Sequence, residues 1–188
     1  MRGDRIISSD GYCRDDNCLR KIPGESVNMN QTAIVAGGCF WGLEAKFQKL
    51  PGVLNTEVGY TGGFVEDPTY RQVCQETTGH VEAVRIEFDP EVVSYQEIIE
   101  AFFQYHDPTL CQDNCLSQSS QYNSVIFTMD EEQERVARTV LRTIKRSGGY
   151  DCSVITGIRP ATAFYPAEEY HQNYYSKHGL MIDEDICC

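Results

Sequence analysis

The sequence predicts a single α+β or α/β domain in which helices cover a β-sheet. Three observations support this fold class. With 188 residues, the chain is long enough for one domain with a sizeable core. Segments with strand-like alternation are interleaved with segments of helical periodicity, and no internal repeat is present. One layered domain therefore accounts for the chain.

Residues 1–30 are expected to form a poorly ordered extension, because they are polar and lack periodicity. Cys13 and Cys18 have the spacing of half a metal site. Since no partner pair is evident, two unpaired thiols are the preferred interpretation. The remaining chain is predicted to be one domain over 31–178 and a flexible, cysteine-bearing tail over 179–188.

The stretch from Ala33 to Phe47 is an apolar strand, a glycine pair, Cys39 and an amphipathic helix. Cys39 is thereby placed at or just before the first helical turn, where unpaired N–H groups and the helix dipole favour a thiolate. Two glycines before it and one after keep bulk away from the sulfur. A buried structural cysteine is the alternative, but the glycine-rich turn favours a nucleophile.

Further elements follow the Cys39 helix in order. Predicted in the first half are a strand over Val53–Gly59, a loop over Tyr60–Thr69, a short helix over Tyr70–Thr77 and a strand over Val81–Phe88. The second half is predicted to begin with a helix opened by a capping box at Ser94, followed by a polar loop over His106–Ser120 and a strand over Tyr122–Thr128. A second helix is opened by a capping box at Thr128 and closed at Gly148. The last predicted elements are weak strands over Val154–Thr156 and Ala161–Phe164 and a short helix ending at Lys177.

Glu82 shares one strand face with Val84, Ile86 and Phe88. Burial on that face would favour the protonated carboxylic acid, which can serve as a general acid. The alternative is that Glu82 pairs with a cation or lies past the sheet edge in solvent. The residues alone leave both interpretations open.

Composition narrows the function classes. A net charge of −12 and a pI near 4.7 argue against nucleic-acid and anionic-membrane partners. The sequence contains no secretory h-region and no apolar run that could span a bilayer. Nine cysteines without a signal peptide indicate reduced thiols, and so a cytoplasmic location. A monomer is the default expectation.

Several motifs carry a resemblance to a known family. They are Gly38–Gly42, Leu50–Val53, Gly59–Gly63, Pro68–Cys74, Thr78–Val84, His106–Pro108, Gln121–Tyr122 and Phe164–Gln172. This ordered series resembles the A-type peptide methionine sulfoxide reductases, which reduce the S-epimer of methionine sulfoxide. The resemblance implies a two-layer sandwich with a central mixed sheet, flanking helices and a ferredoxin-like core.

The resemblance also implies roles for individual residues. Cys39 would attack the sulfoxide sulfur, while Glu82, Tyr70 and Tyr122 supply protons or hydrogen bonds to its oxygen. Phe40 and Trp41 would form the apolar recess for the S-methyl group. Cys39 would become a sulfenic acid, then a disulfide that an external dithiol such as thioredoxin reduces. No metal, flavin or nucleotide cofactor is implied.

The resolving cysteine is expected in the tail, as Cys187 or Cys188, with Cys111 and Cys115 as rivals. The family usually has a Gly-Asn-Asp segment whose aspartate helps to bind substrate, but this chain has Ser117 at the aspartate position. Asn123 replaces the usual arginine after Tyr122. Ser117 is therefore the expected substrate contact, and substrate choice is in question.

Two alternatives to the reductase remain. One is a non-catalytic protein of the same fold that binds a metal or senses oxidants through Cys39, Cys111 and Cys115. The other, motivated by Ser117, is a diverged enzyme that acts on another sulfoxide. Metal content and turnover of the two sulfoxide epimers would distinguish them.

Overall fold

The computed structural model describes residues 30–109 and 120–181, and this part of the chain forms one mixed sheet with helices. The strands are β1 (Gln31–Ala36), β2 (Val53–Thr61), β3 (Val81–Phe88), β4 (Val125–Thr128), β5 (Gly157–Pro160) and β6 (Phe164–Pro166). The α-helices are α1 (Phe40–Phe47), α2 (Tyr70–Cys74), α3 (Tyr95–Tyr105), α4 (Glu131–Ser147) and α5 (Tyr174–His178). The predicted α+β class is confirmed.

The order of the strands across the sheet is β5-β4-β1-β3-β2-β6. All neighbours are antiparallel except β4 and β5, which are parallel. Val35 near the end of β1 pairs with Val84 in the first half of β3, and Tyr60 on β2 pairs with Glu82 on β3. The chain that leaves β1 therefore emerges beside Glu82.

The two faces of the sheet are covered differently. The larger buried cluster joins alternate residues of β1, β2 and β3 to the apolar sides of α1, α3 and α4. A smaller cluster on the opposite face contains Ile34, Ala83 and Phe127, with Phe164 packed against it. The long helices thus lie on one face, which gives the two layers that the family resemblance implied.

Helix boundaries follow local capping chemistry in α3 and partly in α4. Ser94 and Glu97 form the predicted capping box at the start of α3. The predicted capping box at Thr128 is wrong, because Asp130 is the N-cap of α4 and accepts a hydrogen bond from the Gln133 N–H. Thr128 instead remains in β4, where it pairs with Pro160.

Other boundaries differ from the expectations for similar reasons. β2 continues to Thr61 because it pairs with both β3 and β6, whereas Tyr122 precedes β4 and lies in a 3₁₀ turn over Ser120–Tyr122. The weak strand expected near Val154 is a single bridge to Thr109. Within the described ranges, none of the helices combines the length and apolar character that a bilayer crossing requires.

Candidate active site

The turn between β1 and α1 depends on its two glycines. Gly38 has a φ of +72°, a left-handed conformation that side chains disfavour, and its N–H donates to the Tyr122 carbonyl over 3.2 Å. A Cβ on Gly37 would lie 2.6 Å from the His106 ring. The turn is therefore packed closely against the His106 and Tyr122 segments.

Cys39 is the N-cap of α1, as predicted, and has an extended backbone conformation. Its side chain makes no capping hydrogen bond and is partly exposed. The first turn of α1 contains no acidic residue, so the partial positive charge of the helix N-terminus is not offset there. This environment favours an anionic sulfur.

Glu82 lies at the same end of α1. It is 2% exposed, and its Oε2 accepts a hydrogen bond from the Phe40 N–H over 3.2 Å. Phe40 directly follows Cys39 in the chain, so the carboxyl is held within one residue of the cysteine. Of the two interpretations of Glu82 from the sequence, the structure supports burial on the helix-covered face.

Tyr70 and Tyr122 are half-buried tyrosines whose electrostatic surroundings include Glu82. Burial first, and then the charge of Glu82, raises the pKa of Tyr122 to about 12, with a further contribution from Cys39. Burial, a hydrogen bond with Cys74 and the charge of Glu82 raise the pKa of Tyr70. Both phenols consequently keep their protons at neutral pH and can donate hydrogen bonds.

Phe40 and Trp41 have different environments. Phe40 is 1% exposed and belongs to the core, with its ring centroid 6.0 Å from that of Tyr60. Trp41 is half-buried, stacks on Tyr174 with 4.0 Å between ring centroids, and donates its indole N–H to His171 Nδ1 over 3.1 Å. The Trp41 ring is therefore held on two sides.

Sequence reasoning missed His171, which contacts three of the predicted site residues. Its ring centroid lies 5.3 Å from Phe40, 5.5 Å from Trp41 and 4.5 Å from Tyr70. Burial lowers the pKa of His171, and since Nδ1 accepts from Trp41, the hydrogen of the neutral ring lies on Nε2. Among the described residues, none hydrogen-bonds to this Nε2, which is 3.7 Å from Glu168.

Glu168 was also missed, although it lies with His171 in the quoted motif Phe164–Gln172. It accepts hydrogen bonds from the Tyr60 hydroxyl over 2.9 Å and from the Tyr70 N–H over 3.0 Å. Burial would raise the pKa of Glu168, but these hydrogen bonds and nearby His171 lower it. Glu168 therefore fixes the start of α2, which carries Tyr70.

Several predicted residues lie outside the described residues: Ser117, Cys111, Cys115, Cys187 and Cys188. Within the described ranges, Cys39 and Cys74 lie outside disulfides, whereas Cys152 is disulfide-bonded and so departs from the expectation of reduced cysteines. No group of three or more His, Cys, Asp or Glu side chains in those ranges is arranged to hold a metal ion. Asn123 directly follows Tyr122 and is half-buried.

Comparisons with known proteins agree on one family. The family model described as peptide methionine sulfoxide reductase matches residues 31–184. Peptide methionine sulfoxide reductase MsrA of Ligilactobacillus salivarius is 48% identical over 146 residues, covering 78% of this chain and 85% of the relative. The structure of methionine sulfoxide reductase A of Corynebacterium diphtheriae has a TM-score of 0.73 at 32% identity, covering 81% of this chain and 76% of the other. Reduced Mxr1 of Saccharomyces cerevisiae has a TM-score of 0.73 at 27% identity, covering 84% and 89%.

Proposed function

The chain belongs to the peptide methionine sulfoxide reductase family, and we propose that it reduces methionine-S-sulfoxide, free or in proteins, with Cys39 as the nucleophile. One observation carries the assignment of Cys39. The cysteine is the N-cap of α1, and the buried Glu82 carboxyl binds the next amide of the chain. A soft nucleophile and a carboxyl group that can carry a proton therefore meet at one helix end.

In the proposed reaction, the Cys39 thiolate attacks the sulfoxide sulfur. The oxygen takes a proton from Glu82, with Tyr70 and Tyr122 donating hydrogen bonds to it. The sulfur–oxygen bond of the substrate breaks and a bond between that oxygen and the Cys39 sulfur forms, so that methionine leaves and Cys39 becomes a sulfenic acid. The substrate sulfur is reduced by two electrons and the cysteine sulfur is oxidised by two, so the step balances without a cofactor.

The recess for the S-methyl group is assigned to Phe40 and Trp41. Phe40 closes the recess from the core side, because it is buried against Tyr60 and His171. Trp41 has an exposed part and is held by Tyr174 and His171. A rigid apolar wall of this kind discriminates between epimers, since only one places the methyl group in the recess while its oxygen faces the proton donors.

Regeneration requires a second thiol, for which we propose Cys187 or Cys188, with Cys111 and Cys115 as rivals. This thiol would condense with the Cys39 sulfenic acid, releasing water and forming a disulfide. An external dithiol such as thioredoxin would then reduce the disulfide by exchange. No metal or prosthetic group takes part in this scheme.

Removal of Cys187 and Cys188 tests the resolving role. The truncated chain should keep its turnover with dithiothreitol, which reduces the sulfenic acid directly, and lose it with thioredoxin. The intact chain is the control with each reductant. Thioredoxin-driven turnover that survives truncation would exclude the tail and transfer the role to Cys111 or Cys115.

Ser117 and Asn123 are proposed to modify substrate choice rather than the reaction. A hydroxyl at the Ser117 position cannot supply the negative charge that the family's usual aspartate would place there. We also propose a cytoplasmic monomer that binds neither nucleic acid nor membranes. The net charge of −12 supports the exclusion of anionic partners.

Turnover of the two methionine sulfoxide epimers with dithiothreitol tests the proposed activity. Turnover is expected for the S epimer only, and Cys39→Ser should reduce it to the uncatalysed rate because serine lacks a nucleophilic thiolate. Cys74→Ser, which removes the other described thiol outside a disulfide and leaves a hydroxyl that can still hydrogen-bond to Tyr70, should keep the activity. Equal rates on both epimers, or turnover of neither, would contradict the assignment and favour a diverged substrate.

A further inference from the structure

A second buried glutamate lies on α1, one turn beyond the site, and the mechanism above does not use it. Glu44 is 1% exposed, so its carboxyl has exchanged water for protein partners. A charged or polar group that is this deeply buried requires hydrogen bonds to be tolerated. Its partners come from β2 and from the segment that starts α5.

The partners of Glu44 form a closed ring of hydrogen bonds. Glu44 Oε1 accepts from the Thr56 hydroxyl over 3.3 Å, and Glu44 Oε2 accepts from the Asn173 N–H over 2.9 Å. Gln48 Nε2 donates to the Thr56 hydroxyl over 2.9 Å and to Asn173 Oδ1 over 2.7 Å. The ring connects α1 to β2 and to the start of α5. The Glu44 carboxyl accepts a hydrogen bond from each of those two elements.

Helix α5 depends on this ring for its N-terminus. Asn173 is the N-cap, but its φ is 55° and its side chain makes no capping hydrogen bond, because it is directed to Gln48. Glu44 accepts from the backbone N–H groups of both Asn173 and Tyr174. It thereby supplies, from another helix, the acceptor that an N-cap side chain usually provides.

Tyr174 connects this cap to the site. It is the first residue of α5, and its ring stacks on Trp41 at an interplanar angle of 10°. The side chain of Tyr174 therefore contacts Trp41 in the recess wall, and its backbone N–H is bound by Glu44. We propose that Glu44 is a positioning residue, which holds the start of α5 so that Tyr174 fixes Trp41 in the substrate recess.

This inference rests on the proposed function only in assigning Trp41 to the recess. The physical link from Glu44 to Trp41 can be measured without any substrate. Trp41 is the only tryptophan of the chain, so tryptophan emission, excited at a wavelength that the eleven tyrosines do not absorb, reports its surroundings alone. Failure of the fluorescence test would contradict the positioning role, whereas failure of the activity test above would contradict the function.

The first experiment compares Glu44→Leu with Glu169→Gln by Trp41 emission and acrylamide quenching. Leucine removes the acceptors, so several-fold stronger quenching and a red-shifted emission are expected. Glu169→Gln is the matched control, because the Glu169 carboxylate binds Lys177 of α5 from the exposed side. This variant should leave both signals unchanged. Unchanged Trp41 signals in Glu44→Leu, at wild-type far-ultraviolet circular dichroism, would overturn the proposal.

Tyr174→Leu provides a second variant in case Glu44→Leu does not fold. It removes the aromatic ring that stacks on Trp41 and leaves the closed ring of hydrogen bonds around Glu44 intact. The same increase in quenching is expected, together with a several-fold higher KM and little change in kcat, since the wall is loosened but the reacting groups are untouched. Quenching equal to that of the wild type would break the link between α5 and Trp41.

The pH dependence of Trp41 quenching distinguishes a positioning role of Glu44 from a merely structural one. Burial raises the pKa of Glu44 to about 7, against the opposing effects of its hydrogen bonds and of Lys177, the charged group that α5 presents to it. The other side chains of the ring, Thr56 and Gln48, do not titrate. Because burial favours the protonated carboxyl, ionisation of Glu44 should loosen the start of α5. Trp41 quenching in the wild type should therefore rise as the pH rises through about 7, and Glu44→Gln should abolish this transition. A transition that persists in Glu44→Gln would assign it to another group and contradict the role of Glu44.

Discussion

Glu82 and Glu44 are two buried carboxyl groups that accept hydrogen bonds near α1, yet their surroundings differ. Glu82 lies at the N-terminal end of the helix, bound to the Phe40 N–H, and it contributes to the raised pKa values of Tyr60, Tyr70 and Tyr122. Glu44 lies one turn further on and accepts from three donors that belong to β2 and α5.

The difference shows that burial alone does not assign a role to a carboxyl group. The exposed fractions of the two residues are 2% and 1%, so they are equally removed from water. What separates them is the chemistry within reach. Glu82 shares its end of α1 with a partly exposed thiol and two phenols, which suits proton transfer, whereas Glu44 is committed to joining three elements of the fold.

Exchange of each glutamate for glutamine is the strongest test of this comparison. Glu82→Gln should lower kcat by about 10²–10⁴-fold, because the amide cannot transfer a proton. Glu44→Gln should keep kcat within a few-fold, since the amide oxygen still accepts a hydrogen bond. Steady-state kinetics with methionine-S-sulfoxide and dithiothreitol, at a pH above 8, provide the measurement.

Unfolding transitions of both variants serve as the control for this exchange. Both proteins should unfold cooperatively, so that a loss of kcat is attributable to chemistry. Unchanged kcat in Glu82→Gln would remove that residue from the acid role. A loss in Glu44→Gln as large as that in Glu82→Gln would remove the distinction between the two sites.

A smaller effect is expected in the pH dependence of stability. The pKa of Glu44 rises from the ordinary 4.5 to about 7 on folding, mainly through burial. Below about 4.5 the group is protonated in both states; above it the unfolded chain ionises first. The stability associated with Glu44 is therefore largest at low pH and is lost as the pH rises towards 7.

Denaturant unfolding between pH 5 and 8 measures this contribution. Relative to Glu44→Gln, the wild type should lose up to about 3 kcal/mol of unfolding free energy over the interval. His106 gives the opposite sign and serves for comparison, because burial lowers its pKa to about 4 and its contribution is lost as the pH falls below 6.5. A wild-type profile parallel to that of Glu44→Gln would show that the carboxyl does not titrate in this window.

The smallest expected effects belong to the two phenols near Glu82. Tyr70→Phe and Tyr122→Phe should each lower kcat by about 10-fold, since each removes one hydrogen bond of about 1.4 kcal/mol to the departing oxygen. Tyr60→Phe is the control, because its hydroxyl donates to Glu168 instead. An equal loss in all three variants would indicate a packing effect rather than stabilisation of the oxygen.

Local sequence patterns predicted the elements whose boundaries depend on neighbouring residues. The limits Val81–Phe88 of β3, the capping box at Ser94 and the closing turn at Gly148 were all correct. Cys39 was correctly placed at the start of α1, because a glycine turn before an amphipathic segment leaves little choice. The start of α4 was misplaced, because β5 pairs with Thr128 and keeps it in the strand.

The sequence by itself determined the family, the mixed α+β fold and the position of Cys39 at a helix N-terminus, since motifs and caps act over a few residues. Only the tertiary structure decided which groups surround that cysteine. His171, Glu168 and Tyr174 reach Trp41 or Tyr70 from more than 90 residues away. No periodicity records contacts of that kind, because they depend on how the sheet and helices pack.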